Sequence, residues 1–496
     1  DEFYNAEMDY YDSAAPLFAK IQNEYERAML SSPLRAEAEK LINPRVFKAF
    51  EISQKTFSDD VIEDLQAENA LVTEYSKFMG ELAFEFDGEK MPLSVLRGKL
   101  EDDDREVRRR AAEAIGKTLG ENSDTLDSIF DRLVKIRTTV ARKLGFDNFV
   151  ELGYCRMGRV DYDSAMVAEF RRSVEQDIVP AVAAMKEDIR RRTGFDRIMY
   201  YDDAVSVSGE MPRPVIDESE IFRRAQKMYD EMEPSIGEFM RRMQAAEAFD
   251  VEARDGKWGG GYCTTFPAYK QPFILANFNG TSGDIDVITH EFGHALAADI
   301  MFKCSEPDYP VGMETHECHS MSMEFLCHKW MDKFFGDKAD KYRYKHIVDA
   351  FSFIPYGTIV DEFQHIVYEN PDLTPAERDA EYLKLEKKYR PYLSFEGIPY
   401  LENGTRWQYQ MHIYESPFYY IDYCLAQCVA LGFLGLSRAD FADALDKYLA
   451  FLRATGSVSF GELVEGAGLK PPFEAGALKE IAASSAEVIR EVEKKI

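Results

Sequence analysis

The chain has 496 residues, long enough for an extensive core, and at 45% hydrophobic with 34 Phe and 27 Tyr it is too apolar and aromatic for a disordered protein. A formal charge of −29 excludes the basic face that nucleic acid or an anionic membrane surface selects, so neither is expected as a partner. Seven scattered cysteines, odd in number and without a C-x-x-C pair, read as reduced thiols of a cytoplasmic protein rather than a disulfide framework.

The first half reads as helix after helix. No signal peptide is visible in DEFYNAEMDY, and a start without Met reads as processed or partial. In EDDDREVRRRAAEAIGKTLGEN, residues 101–122, acids lead, arginines and alanines follow, and Gly120 is expected to close the helix. The arginines at 105–110 belong to a solvated helix face. In residues 125–145, Leu126, Ile129, Leu133, Ile136 and Val140 recur at spacings of three and four, the mark of an amphipathic helix. Residues 163–194 form a third helical segment, adjusted near Pro180.

The texture changes near Asp202, which divides the chain into an N-terminal helical lobe, residues 1–200, and a second part, residues 201–496. ARDGKWGGGYCTTFPAYKQPFILANFNGTSGD is rich in Gly, Pro and aromatics, and residues 272–278 fit a strand. A helix then begins at Ser282 or Asp284, either a suitable N-cap. Later helices are interrupted at 307–312, 371–375 and 397–404. The apolar run CLAQCVALGFLGL is 13 residues long, short of the roughly 20 that span a bilayer, and reads as a buried helix.

The helix after the sheet carries DIDVITHEFGHALAADI. Helical geometry puts His290 and His294 on one face, where they can share a metal ion, with Glu291 placed to reach a metal-bound water. All eight histidines lie between His290 and His412, a concentration that marks the region of chemistry, although His328, His346 and His365 each read as ordinary helix residues. A catalytic zinc takes three protein ligands. The H-E-x-x-H-x-x-G-x-x-H pattern fails at Ala297 and Ile300. VGMETHECHSMSMEFLCHKW instead offers Glu314, His316, Glu317, His319 and Glu324, with Glu317 and Glu324 on one helical face.

HEFGHALA followed by ECHSMSMEFL resembles the zinc-site signature of the thimet oligopeptidase and oligoendopeptidase F family of metallopeptidases. LVKIRTTVARKLGFDNFVELGYCRMGRVDY, IPYGTIVDEFQHIVYENPDLTP and HIYESPFYYIDYCLAQ extend the likeness along most of the chain. The resemblance implies Glu317 as third ligand of one zinc ion, with His316 and His319 as alternatives. Thr315, His316 and Cys318 occupy positions that more often hold small or aliphatic residues. Glu291 is then the general base, and Glu324 is a candidate acceptor behind a ligand histidine. His412 and Tyr423, with Tyr420 next, are expected to bind substrate and stabilise the oxyanion. The loop Gly259-Gly260-Gly261 before Tyr262 either closes on substrate or is a tight turn, which makes Gly261 and Tyr262 candidate substrate contacts. The implied fold is a mainly α, two-lobed, zincin-like body with a small β-sheet beside the motif helix. A deep channel would admit short unfolded peptides, and residues 201–496 would be its catalytic lobe. The competing readings are a peptide-binding relative that has lost catalysis and another zinc hydrolase such as an aminopeptidase.

Overall fold

Helix dominates: the computed structural model, which describes residues 10, 14–254, 257, 261–304 and 309–496, is 72% helical and 5% strand. Helix α1, Arg105–Glu121, starts where the Asp104 carboxylate accepts from the Glu106 N–H. It runs past Gly120 and is closed by Asn122, so the glycine expected to end it lies inside the last turn. Helix α2, Ser123–Lys143, buries Leu126, Ile129, Leu133 and Val140, with Ile136 half-buried, and Gly145 at φ +88° turns the chain after it. Helices α3, Ser164–Ser173, and α4, Val179–Thr193, are joined by a π turn at Val174–Ile178. Pro180 directly follows it, and the wider π turn accommodates the ladder bond that a proline cannot donate.

The small sheet comprises β1, Phe249–Asp250, β2, Tyr262–Phe266, and β3, Gln271–Leu275, in the order β1-β3-β2. Strand β1 is parallel to β3 and β2 antiparallel to it, with Tyr262 opposite Leu275, so β2 is an edge. The strand expected at 272–278 ends at Leu275, although the N–H groups of Ala276 and Phe278 still donate to the carbonyls of Asp250 and Val251. Gly280, at φ +79°, turns the chain into helix α5, Gly283–Cys304. Of the two expected caps, Ser282 directly precedes the helix. Asp284 lies within its first turn, and its carboxylate accepts from Asn279 (2.9 Å) and Gly280 (2.7 Å) N–H groups, tying the helix to the end of the sheet.

Helix α6, Met313–Leu326, packs across α5. Gly293 permits the approach: a Cβ there would stand 2.7 Å from the His319 carbonyl oxygen and from Ser320 Cα. The break expected at 307–312 falls between these helices, and residues 305–308 lie outside the described residues. Helices α7, Ala339–Glu369, and α8, Pro375–Tyr389, flank the second expected break.

Past residues 397–404 come α9, Met411–Glu415, α10, Tyr420–Ala439, and α11, Phe441–Ala454. Pro417 separates α9 from α10, and Phe418 follows at φ +67°, a conformation that costs about 1–3 kcal/mol outside glycine. It is held firmly. Its N–H donates to Gln364 Oε1 (2.9 Å), its carbonyl accepts from Arg159, and its ring fills the space beside Gly153, where a Cβ would lie 2.5 Å away. Arg137 similarly donates to the Tyr414 carbonyl and to Glu68 Oε1 (2.7 Å). Two arginines from residues 1–200 therefore clamp the segment around α9. Helix α10 extends beyond the 13-residue run and, among the described residues, is the one helix long and apolar enough to cross a membrane. Of its 18-residue apolar window 67% is buried in the fold, and the helix packs against α6 and α7.

Candidate metal centre

Two imidazoles one turn apart on α5 face the same way, and α6 crosses that face. His290 Nε2 and His294 Nε2 lie 3.3 and 3.6 Å from Glu317 Oε2. Zinc bonds of about 2.0–2.1 Å in a tetrahedral array separate ligand atoms by about 3.3–3.4 Å, so the spacing and the donor types fit one ion. Among the described residues this is the one such group. The other candidates on α6 turn elsewhere. Glu314 is buried against Tyr162 (3.3 Å) and Thr315 (3.0 Å), and His319 Nε2 is 3.0 Å from Thr455 Oγ1. His316 lines the adjacent cavity without joining the cluster.

Two of the three members of the cluster are held from behind. Tyr419 Oη donates to Glu317 Oε1 at 2.7 Å, and His290 Nδ1 lies 2.6 Å from Glu324 Oε1. Burial disfavours an ionised Glu324, but hydrogen bonds from His290 and His346 outweigh it and bring the pKa down to about 2. An ionised carboxylate only accepts, so His290 Nδ1 carries a proton. Despite burial, hydrogen bonds to Glu317 and Glu324 hold this imidazole well above its usual range, so a metal binding at Nε2 displaces a proton there.

Glu291 is buried beside the cluster, and the Cys263 N–H of β2 donates to its carboxylate. Burial pushes this carboxyl above its ordinary range, with His290 and His294 opposing.

The cluster opens into a cavity of about 1140 Å3. Residues 261–265 of the β2 segment form one part of its wall, and Met301, Phe302, Tyr309 and Met313 an apolar part. Gly261 and Tyr262, the candidate substrate contacts, line it, while Gly259 and Gly260 lie outside the described residues. Tyr423 also lines it. His412 and Tyr420 do not: His412 packs against the rings of Tyr420 (4.8 Å), Tyr419 (5.8 Å) and Tyr423 (6.0 Å), and Tyr420 turns toward Phe353 and Tyr356. The bend at Pro417 rotates α10 relative to α9, so Tyr419, just before the helix, takes the place beside the cluster. Tyr356 donates to Gln410 Oε1, so the Gln410 amide N–H faces His412 Nδ1 (2.9 Å), and His412 keeps its proton on Nε2. Burial lowers His412 to about 4, leaving it neutral at pH 7. Burial, then the nearby Glu317 charge, raises the Tyr423 phenol, which stays protonated. Nothing in the spacing of Tyr419 or His346 marks either as part of this site; the tyrosine-rich run and the concentration of histidines were the available signals.

A mainly helical body in which an H-E-x-x-H helix and a glutamate-bearing helix meet at a cleft defines a peptidase class of fold and site. The chain belongs to peptidase family M3: the family model matches residues 99–483, and that of the M3 N-terminal domain matches residues 1–57. It is similar to PZ peptidase A, solved with an inhibitor, at 44% identity and a TM-score of 0.94 over 100% of this chain and 88% of that one. A protein of Bacillus anthracis strain Ames, provisionally named oligoendopeptidase F, is 40% identical with a TM-score of 0.88 over 100% of this chain and 87% of its own. Oligopeptidase PepF of Bacillus subtilis (strain 168) is 23% identical over 380 residues, 72% of this chain and 53% of PepF, so the chain spans about half the length of that curated relative.

Proposed function

We propose that the protein is a zinc-dependent endopeptidase acting on short, unfolded oligopeptides. One observation carries this reading: His290, His294 and Glu317 stand at tetrahedral spacing beside Glu291, and all four line a cavity walled by an open strand edge. Two imidazoles and one carboxylate leave a fourth position free, the donor set of a catalytic zinc. Bound there, zinc supplies Lewis acidity that acidifies a water and polarises the scissile carbonyl.

The chain's own groups do the rest. Glu291, aimed by the Cys263 N–H, accepts the proton of the attacking water and returns it to the leaving amine; its raised pKa suits both roles. Tyr423 donates from the cavity wall to the carbonyl oxygen as that oxygen gains charge, and the neutral His412 packs behind it and orients the aromatic cluster. As the edge strand of the sheet, β2 takes the substrate as an added strand, which requires an extended peptide. Every cavity-lining residue comes from residues 201–496, the catalytic lobe in this reading, with residues 1–200 as the helical lobe that braces it. Seven free cysteines fit a reducing compartment.

Metal analysis combined with internally quenched peptides tests the proposal. Expected are one zinc per chain, inactivation by a chelator with recovery on zinc addition, and internal cleavage of a peptide with a blocked N-terminus. Cleavage of free N-termini alone would make the protein an aminopeptidase. Zinc and peptide binding without cleavage would make it a binding protein.

A further inference from the structure

Two histidines outside the metal cluster are joined to it in series. Glu324 Oε1 faces His290 Nδ1, and its other oxygen, Oε2, lies 2.7 Å from His346 Nε2. His346 Nδ1 in turn lies 2.7 Å from His328 Nε2. The chain runs from α5 through α6 to α7 and back to the turn at Cys327–Trp330, and Arg343 Nε pins that turn by donating to the His328 carbonyl at 2.7 Å. The Tyr342 ring stacks on His346 (5.7 Å, 18°) and on Phe335 (4.1 Å, 14°), and its hydroxyl donates to Asp286, one turn before His290 on α5. Helix α7 thus grips the motif helix twice, directly at Asp286 and through Glu324 at His290.

The donor–acceptor arithmetic gives this arrangement a consequence. A carboxylate has no proton to give, so both of its imidazole partners must donate. With His346 on one oxygen, Glu324 cannot swing away from His290, and His290 cannot adopt the tautomer that places its proton on Nε2. Without His346, one oxygen of a largely buried carboxylate loses its partner, and the carboxylate is free to rotate. We infer that His346, backed by His328, is a positioning residue of the metal centre, fixing Glu324 so that His290 presents Nε2 to the ion. The inference rests on the zinc reading above.

The test is the zinc dissociation constant, measured by competition with a chromophoric chelator, alongside the Tm of the metal-free protein. His346→Phe should weaken zinc binding by about 10–100-fold, the range for partners that orient metal ligands. His346→Gln, whose amide N–H can still donate to Glu324, should recover most of the loss. A double-mutant cycle separates positioning from general stability: in a Glu324→Ala background, His346→Phe should cause no further loss of affinity. His346→Leu serves in the same cycle should the Phe variant not fold. Unchanged affinity in the single variants, or an equal loss with and without Glu324, would overturn the inference while leaving the zinc proposal standing. A wild-type protein that binds no zinc would overturn both.

Discussion

A general base works only when its carboxylate is aimed, and Glu291 is aimed by a backbone N–H that no side-chain substitution removes. Glu291→Gln is therefore expected to keep zinc and peptide binding while kcat falls by about 10²–10⁴-fold, read from metal content, a peptide-binding titration and steady-state kinetics on the same preparation. The neighbouring tyrosines should separate by symptom. Tyr423→Phe removes a donor needed as charge develops, so kcat should drop about 10²–10³-fold with KM and Tm nearly unchanged. Tyr419→Phe releases Glu317 Oε1 instead, so the variant should lose zinc to a chelator faster than wild type and regain turnover in excess zinc. A Tyr423 variant that loses Tm but not kcat would return that residue to a packing role. The pairing of His290 with His294 was legible in the sequence because four-residue spacing is local helix geometry. The Tyr419–Glu317 contact was not, since it joins residues 102 apart and depends on a bend whose angle no spacing encodes.

Between helices, the margin is set by Gly293. An added methyl group would meet the α6 backbone, so Gly293→Ala must push α5 and α6 apart and carry Glu317 away from the histidines. A stability loss of about 1–3 kcal/mol is expected, with weakened zinc binding in the same variant; a normal zinc affinity would show that the helices can part without disturbing the cluster. The clamp around α9 responds to pH. Burial alone would raise the Glu68 carboxyl, but Arg137 and Arg156 beside it hold it below its usual range. A carboxyl lowered by folding stabilises the protein above its unfolded pKa of about 4.3 and loses that contribution as pH falls through the lower folded value. Glu68→Gln should therefore lower stability by about 3–5 kcal/mol at neutral pH and flatten the Tm profile below about pH 4.3. An acid limb unchanged from wild type would remove Glu68 from the account. Apolar periodicity made α2 readable, and Pro180 announced an adjusted helix. Gly120 misled because glycine can sit within a last turn when the following Asn122 closes it, and Tyr420 misled because its face depends on the break at Pro417.

Over the whole molecule, a charge of −29 produces a field that a peptide meets before it reaches the cavity. A lysine-rich quenched peptide should lose kcat/KM as ionic strength rises from about 0.01 M to about 1 M, while the Debye length shrinks from about 30 to 3 Å; a neutral peptide of equal length should change little. Equal salt profiles for the two would show that the surface charge does not reach the cavity mouth. The fold class was visible early, because helical texture and motif likeness extend along most of the chain. The cavity was not, since its wall assembles the β2 segment, α5, α6 and the start of α10, whose relative placement depends on packing.

The position of β2 has one more consequence. An unpaired strand edge is a template on which another copy of the chain can build, and exposed edges elsewhere are guarded by charge, proline or a bulge. Here Gly261 to Thr265 carry no Lys, Pro or acid, yet they line a recess in a single molecule. Pro267 and Lys270, just past them on the same wall, supply a proline and a charge at one end only. The stretch that takes a substrate strand is thus left bare of gatekeepers, and replacing Pro267 and Lys270 with apolar residues would bring self-association along with any broader substrate range.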